Sequence, residues 1–141
     1  MADSVIFVKC DKEEALRRIQ EYCPGAEPII DEDGDYEYRD VSIYEYDDDW
    51  TIMEDLTGEY FEENLVLALA ENDDLFYVYV DEDYLDGELY ALENGKIIRK
   101  LIDHYDKCDN ENLGKLPYEE GNPLSNWIEI GTFLEYLYEE L

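Results

Sequence analysis

The stretch from Leu75 to Ile102 constrains the fold more than any other part of the chain. LFYVYV (Leu75–Val80) is an aromatic and β-branched run, DEDYLDG (Asp81–Gly87) is an acidic turn, and Glu88–Leu92 leads back. Asn94-Gly95 is a strong hairpin dipeptide, because a type I′ turn needs positive φ at both central residues. Lys96–Ile102, KIIRKLI, then follows as the third strand of a meander. Strands joined this tightly pair antiparallel, and their sheet needs apolar elements to cover it.

The remaining sequence supplies further strands and those covers. SVIFVKC (Ser4–Cys10) reads as a strand with at least one buried face. Asp11 opens D-K-E-E, a capping-box pattern with Glu14, and Ala15, Leu16, Ile19, Tyr22 and Cys23 recur at helical spacing until Pro24-Gly25. DEDGD (Asp31–Asp35) is a turn in which Gly34 is free to take positive φ. Tyr36–Tyr46 alternates like a strand with a bend near Asp40. Asp47-Asp48-Asp49 is a charged turn, and Trp50–Leu56 returns from it. A helix is expected from about Glu59 to Glu71, capped by Thr57, with Phe61, Leu65, Ala68 and Leu69 inside. Asp106–Asn122 is polar and turn-rich and reads as a long loop. Ser125 or Asn126 then caps a closing helix whose inner stripe is Trp127, Ile130, Leu134, Leu137 and Leu141, widened by Phe133. The expected order is β-α-β-β-α-β-β-β-α, an α+β fold with a mainly antiparallel sheet and helices packed on it. A single acidic domain over residues 1–141 is expected.

Charge limits what such a domain can meet. Ten Lys and Arg stand against forty Asp and Glu, a formal charge of −30. That field repels phosphates and anionic membranes and attracts basic proteins, which excludes an ordinary nucleic-acid binder. The excess is also local. Asp31–Asp55 holds twelve acidic residues and one basic residue, and Glu71–Glu93 holds nine and none, so two hairpins produce most of it. Self-repulsion on this scale opposes folding, and an acidic excess retained against that cost suits a cationic protein partner. Paired tyrosines on the same strands offer rigid contact area with a polar tip.

Recognisable catalytic chemistry is sparse. Asp31-x-Asp33-Gly34-Asp35 fails the EF-hand pattern: its Gly falls at the fourth loop position and Ser42 at the twelfth. Gly87 comes one position late for a loop starting at Asp81. The sole histidine, His104, reads as a surface residue beside Asp103 and Asp106, with no nucleophile motif to activate. Cys10, Cys23 and Cys108 are odd in number and lack metal or disulfide spacing. No phosphate loop, HExxH or GxSxG occurs, so neither enzyme activity, nor a cofactor, nor a metal is expected. The N-terminus lacks a secretory pattern and no run approaches the roughly 18 apolar residues of a membrane span, which suits the cytoplasm.

The segments WTIMEDLTG (Trp50–Gly58), LENGKIIRKLID (Leu92–Asp103) and NLGKLPYEEG (Asn112–Gly121), set in this helix-and-meander order, resemble the bacterial immunity proteins of toxin–immunity pairs, including those of contact-dependent inhibition and polymorphic toxin systems. The resemblance implies a cytoplasmic inhibitor that binds a toxin's active domain, frequently a basic nuclease. The expected contacts are Asp47, Asp48, Asp49, Asp81, Glu82, Asp83 and Asp86, with Tyr44, Tyr46 and Tyr84 as anchors. The alternative is a DNA mimic acting on a DNA-binding protein, which needs carboxylates at phosphate-like spacing along an elongated surface.

Overall fold

A computed structural model describes residues 2–105 and 110–141, and among them nine strands form one sheet in the order β2-β3-β4-β5-β1-β6-β7-β8-β9. In chain order the strands are β1 (Ala2–Val8), β2 (Ile29–Ile30), β3 (Tyr36–Tyr38), β4 (Val41–Glu45), β5 (Thr51–Asp55), β6 (Leu75–Asp81), β7 (Asp86–Glu93), β8 (Lys96–Asp103) and β9 (Glu111–Gly114). Every neighbouring pair is antiparallel. Three helices, α1 (Lys12–Tyr22), α2 (Glu63–Ala70) and α3 (Trp127–Glu140), pack on the sheet, which is the expected α+β architecture.

Both faces of the sheet are covered, and strand alternation decides which side chain goes where. From β1 and β6, Ile6, Val8, Leu75 and Tyr77 join Ala15 and Ile19 of α1 and Val66 and Leu69 of α2. Val5, Phe7, Val78 and Val80, one residue out of phase, join Ile130, Phe133, Leu134 and Leu137 of α3 on the other face. Two-sided burial explains why SVIFV and LFYVYV are almost unbroken apolar runs. Tyr77 is fully buried, and Tyr79 is 8% exposed. Gly87 lets α3 approach closely: a Cβ there would lie 2.9 Å from Trp127 Cα.

Several elements depart from the sequence reading. The bend near Asp40 is a complete reversal. Arg39 and Asp40 both take positive φ (49° and 66°), so the Tyr36–Tyr46 run becomes the hairpin β3–β4. No glycine is used there; Arg39 instead donates to the Cys23 and Pro24 carbonyls, which holds the turn against α1. Asp11 caps α1 through the Glu14 N–H, but the Glu14 carboxylate turns to Arg17 and Arg18 instead of closing a capping box. Helix α2 starts later than expected, after Glu62, and Thr57 bonds to Asp55 instead of capping it. Asn126 caps α3 through the Glu129 N–H.

The expected loop Asp106–Asn122 is largely ordered structure where it is described. Strand β9 and a short 3-10 helix (Pro117–Glu120) occupy it, while Asp106–Asp109, with Cys108, lies outside the described residues. Arg99 organises this segment. Its fully buried guanidinium makes paired bonds to Glu119, at 3.0 and 3.2 Å, and also reaches Asn112, the Leu113 carbonyl and the Leu124 carbonyl. Cys10 and Cys23 are free thiols, and burial pushes Cys10 up to about 12. Among the described residues no helix is long and apolar enough to cross a membrane.

Candidate functional site: the acidic, tyrosine-rich end of the sheet

Strand register sorts the turns between two ends of the sheet. Val8, at the end of β1, pairs with Thr51 and Leu75, so the Asp47–Asp49 turn leaves the sheet there. Ala2 pairs with Asp81, so the β6–β7 turn, holding Glu82, Asp83 and Tyr84, leaves at the opposite end. At about 3.3 Å per residue along β1, the two turns stand roughly 20 Å or more apart. The acidic residues expected as contacts therefore fall into two groups, one at each end.

The tyrosine anchors divide as well. Tyr84 is 71% exposed, at the end of the sheet where β1 begins. Tyr60 and Tyr105, which the sequence did not single out, are also mostly exposed at that end. Tyr60 stands edge-on to Tyr79, and the Tyr105 N–H donates to Asp86. Tyr44 and Tyr46 belong instead to the α3 face. The Tyr46 ring packs against Phe7 and Tyr138, and its hydroxyl donates to the Tyr138 carbonyl. Tyr44 is half-buried, and burial with nearby Glu54 raises its phenol above the ordinary value.

Two of the acidic residues build turns. Asp81 is 8% exposed and accepts from the Asp83 and Tyr84 N–H groups and the Tyr79 hydroxyl. Asp47 accepts from the Asp49 and Trp50 N–H groups. Asp48, Asp49, Glu82 and Asp83 lie on the exposed surface, and Asp86 is half-buried.

Two hollows share Tyr60 and Tyr79 in their walls. One hollow, about 640 Å³, lies between the C-terminal turn of α1 and the 58–62 segment, with Tyr22, Asp55, Glu59 and Glu62 on its wall. The other, about 480 Å³, is lined by Asp86, Glu88, Tyr90, Lys100, His104 and Glu111. Glu88 lies deepest. Its Oε1 accepts from the Tyr77 hydroxyl at 3.0 Å, and that hydroxyl oxygen in turn accepts from the Phe61 N–H. His104 Nε2 approaches Glu88 Oε2 to 2.7 Å, off the line of a well-directed hydrogen bond. Burial raises the Glu88 carboxyl above its ordinary value, although His104 and Tyr77 pull it down. His104 is thus a cleft residue paired to Glu88, not a surface histidine beside Asp103. The sequence signal that marks Glu88 is its phase: it shares the inward positions of β7 with Tyr90 and Leu92.

The basic residues are mostly spent inside the structure. Arg17 and Arg18 tie α1 to Glu14, Glu71 and Asp73. Arg39 holds carbonyls, Arg99 holds Glu119, and Lys100 bridges Glu63 and Glu111. Lys12 donates to the Gly34 carbonyl and lies 3.4 Å from Asp35. The Asp31, Asp33 and Asp35 carboxylates come within 4.8 Å of one another. Backbone N–H groups bonded to Asp31, with the Lys12 ammonium alongside, account for that turn. No protein-family model matches the chain, nor does any curated protein or solved structure.

Proposed function

We propose that the chain is an inhibitor of the immunity type, which binds a basic protein such as a nuclease toxin domain and covers its active surface. The contact face is the end of the sheet carrying Glu82, Asp83, Asp86, Tyr60, Tyr84 and Tyr105. One observation carries this reading: all four arginines are committed to internal bonds, while exposed tyrosines and carboxylates gather around a cleft at that end. A nuclease cleft is positive to hold phosphates, so a negative inhibitor gains encounter rate and specificity against it. Exposed tyrosines inside an acidic rim give the anchor-and-rim arrangement of protein interfaces. Such an inhibitor acts in the cytoplasm, where an incoming nuclease would do its damage.

The separation of the two acidic turns favours a compact contact face over the extended row of carboxylates that a DNA mimic needs. Biolayer interferometry against a panel of purified basic nuclease domains tests the proposal. One domain should bind, with an association rate at least tenfold faster at about 50 mM salt than at about 150 mM. Binding to none overturns it, and competition with DNA for several unrelated DNA-binding proteins replaces it with mimicry.

A further inference from the structure

The hollow that contains Glu88 already holds one cation, supplied by the chain itself. Lys100 Nζ lies 2.7 Å from Glu63 Oε1 and 2.6 Å from Glu111 Oε2, with the Tyr90 ring centroid at 5.4 Å. Burial works against this ammonium, yet its bonds to Glu111 and Glu63 hold its pKa above the ordinary value. Two carboxylates beside an aromatic face form a stable environment for a positive group.

The other half of the hollow repeats those parts. Asp86 and Glu88, two residues apart on β7, put carboxylates on the same side of the strand. Tyr60 and Tyr79 supply the rings, with their centroids 6.1 Å apart. The Glu88 side chain is 8% exposed. One of its oxygens takes the Tyr77 hydroxyl and the other meets His104 in a poorly aligned contact, so its acceptor positions are only partly used. A buried carboxylate with acceptor capacity to spare, opening on a cavity with aromatic walls, suits a cation arriving from outside.

We infer that this half of the hollow is a socket for one cationic side chain of the partner, an arginine. The inference rests on the reading that the partner is a basic protein, and it names the group that this protein inserts. Arginine fits better than lysine because its planar guanidinium stacks on tyrosine faces, pairs with a carboxylate through two donors, and sheds water more easily.

The sole histidine gives the socket its own reporter, independent of any partner. N-acetyl-arginine amide is titrated into the whole protein while the His104 ring signals are followed by NMR, beside N-acetyl-lysine amide and the uncharged N-acetyl-citrulline amide. The arginine amide should give a saturable shift with a Kd of about 1 mM, the lysine amide should bind at least threefold more weakly, and the citrulline amide should give no shift. Tyr60→Ala changes an exposed residue and should weaken the arginine response about threefold, whereas Glu88→Gln should remove it. No saturable shift, or equal shifts from all three amides, overturns the socket. A basic nuclease domain that binds wild type and Glu88→Gln equally also removes the socket but leaves the acidic face. A specific arginine response with no basic domain bound leaves the socket and removes the wider reading.

Discussion

Arg99 Nε lies 3.0 Å from Glu119 Oε2, with the arginine side chain fully buried and the glutamate 6% exposed. One oxygen of the same carboxylate also accepts from the Leu116 N–H. Burial pushes Glu119 up, but Arg99 and that N–H outweigh it and keep the carboxyl below its ordinary value. The pair fastens β8 to the 3-10 helix and the start of the α3 segment.

Arg99→Met should therefore cost about 3–5 kcal/mol, because Glu119 is left as a buried charge without its partner. Arg99→Lys should not restore the loss, since an ammonium cannot reproduce the paired contact. The double variant Arg99→Met/Glu119→Leu should recover only part of it, because the Asn112, Leu113 and Leu124 acceptors lose their donor and the Leu116 N–H loses its acceptor. Urea unfolding midpoints for the three variants check this.

Acid should weaken the fold through α1. Glu14 is held down to about 2 from an ordinary 4.5 by hydrogen bonds first from Arg17 and then from Arg18. A lowered folded-state value supplies stability that is complete above pH 4.5 and is lost as pH falls toward 2. Glu14→Gln should flatten the fall in urea midpoint across that window.

Glu88 works in the opposite sense. Its folded value lies above 4.5, so the folded state binds this proton more tightly and stability declines as pH rises from 4.5 through the raised value. Glu88→Gln should remove that part of the decline, and near pH 7 it should be no less stable than wild type. Denaturant curves at several pH values, compared between the two proteins, measure the difference.

The two acidic turns should differ in binding. Against a basic nuclease domain that the protein binds, Glu82→Lys/Asp83→Lys should slow association about tenfold and reduce its salt dependence. Asp48→Lys/Asp49→Lys, at the other end of the sheet, should change it less than twofold. Stopped-flow association at two salt concentrations separates the pairs, and equal effects would move the contact face.

The tyrosines should separate packing from recognition. Tyr46→Phe loses the bond to the Tyr138 carbonyl and should cost about 0.5–1.5 kcal/mol of stability with binding unchanged. Tyr84→Ala removes a side chain that is 71% exposed, and should leave stability within about 0.5 kcal/mol while weakening binding tenfold or more. Thermal melts paired with equilibrium titrations distinguish the two.

The β-branched and aromatic runs SVIFV and LFYVYV, the Asn94-Gly95 turn and the helical spacing in α1 and α3 determine the sheet's antiparallel character and its helical covers, because these are local preferences of backbone and side chain. The acidity of the surface is likewise written in the composition. What the linear pattern could not carry were relations between distant residues. The reversal at Arg39-Asp40 depends on carbonyls at the end of α1, and order in the 110–124 segment depends on Arg99, thirteen to twenty-five positions away. Strand register set the two acidic turns at opposite ends and brought Glu88 beside His104, while the docking of α3 placed Tyr138 against Tyr46. Sequence spacing reports which face of its own element a residue occupies; which other element meets that face is settled only when the sheet closes and its helices dock.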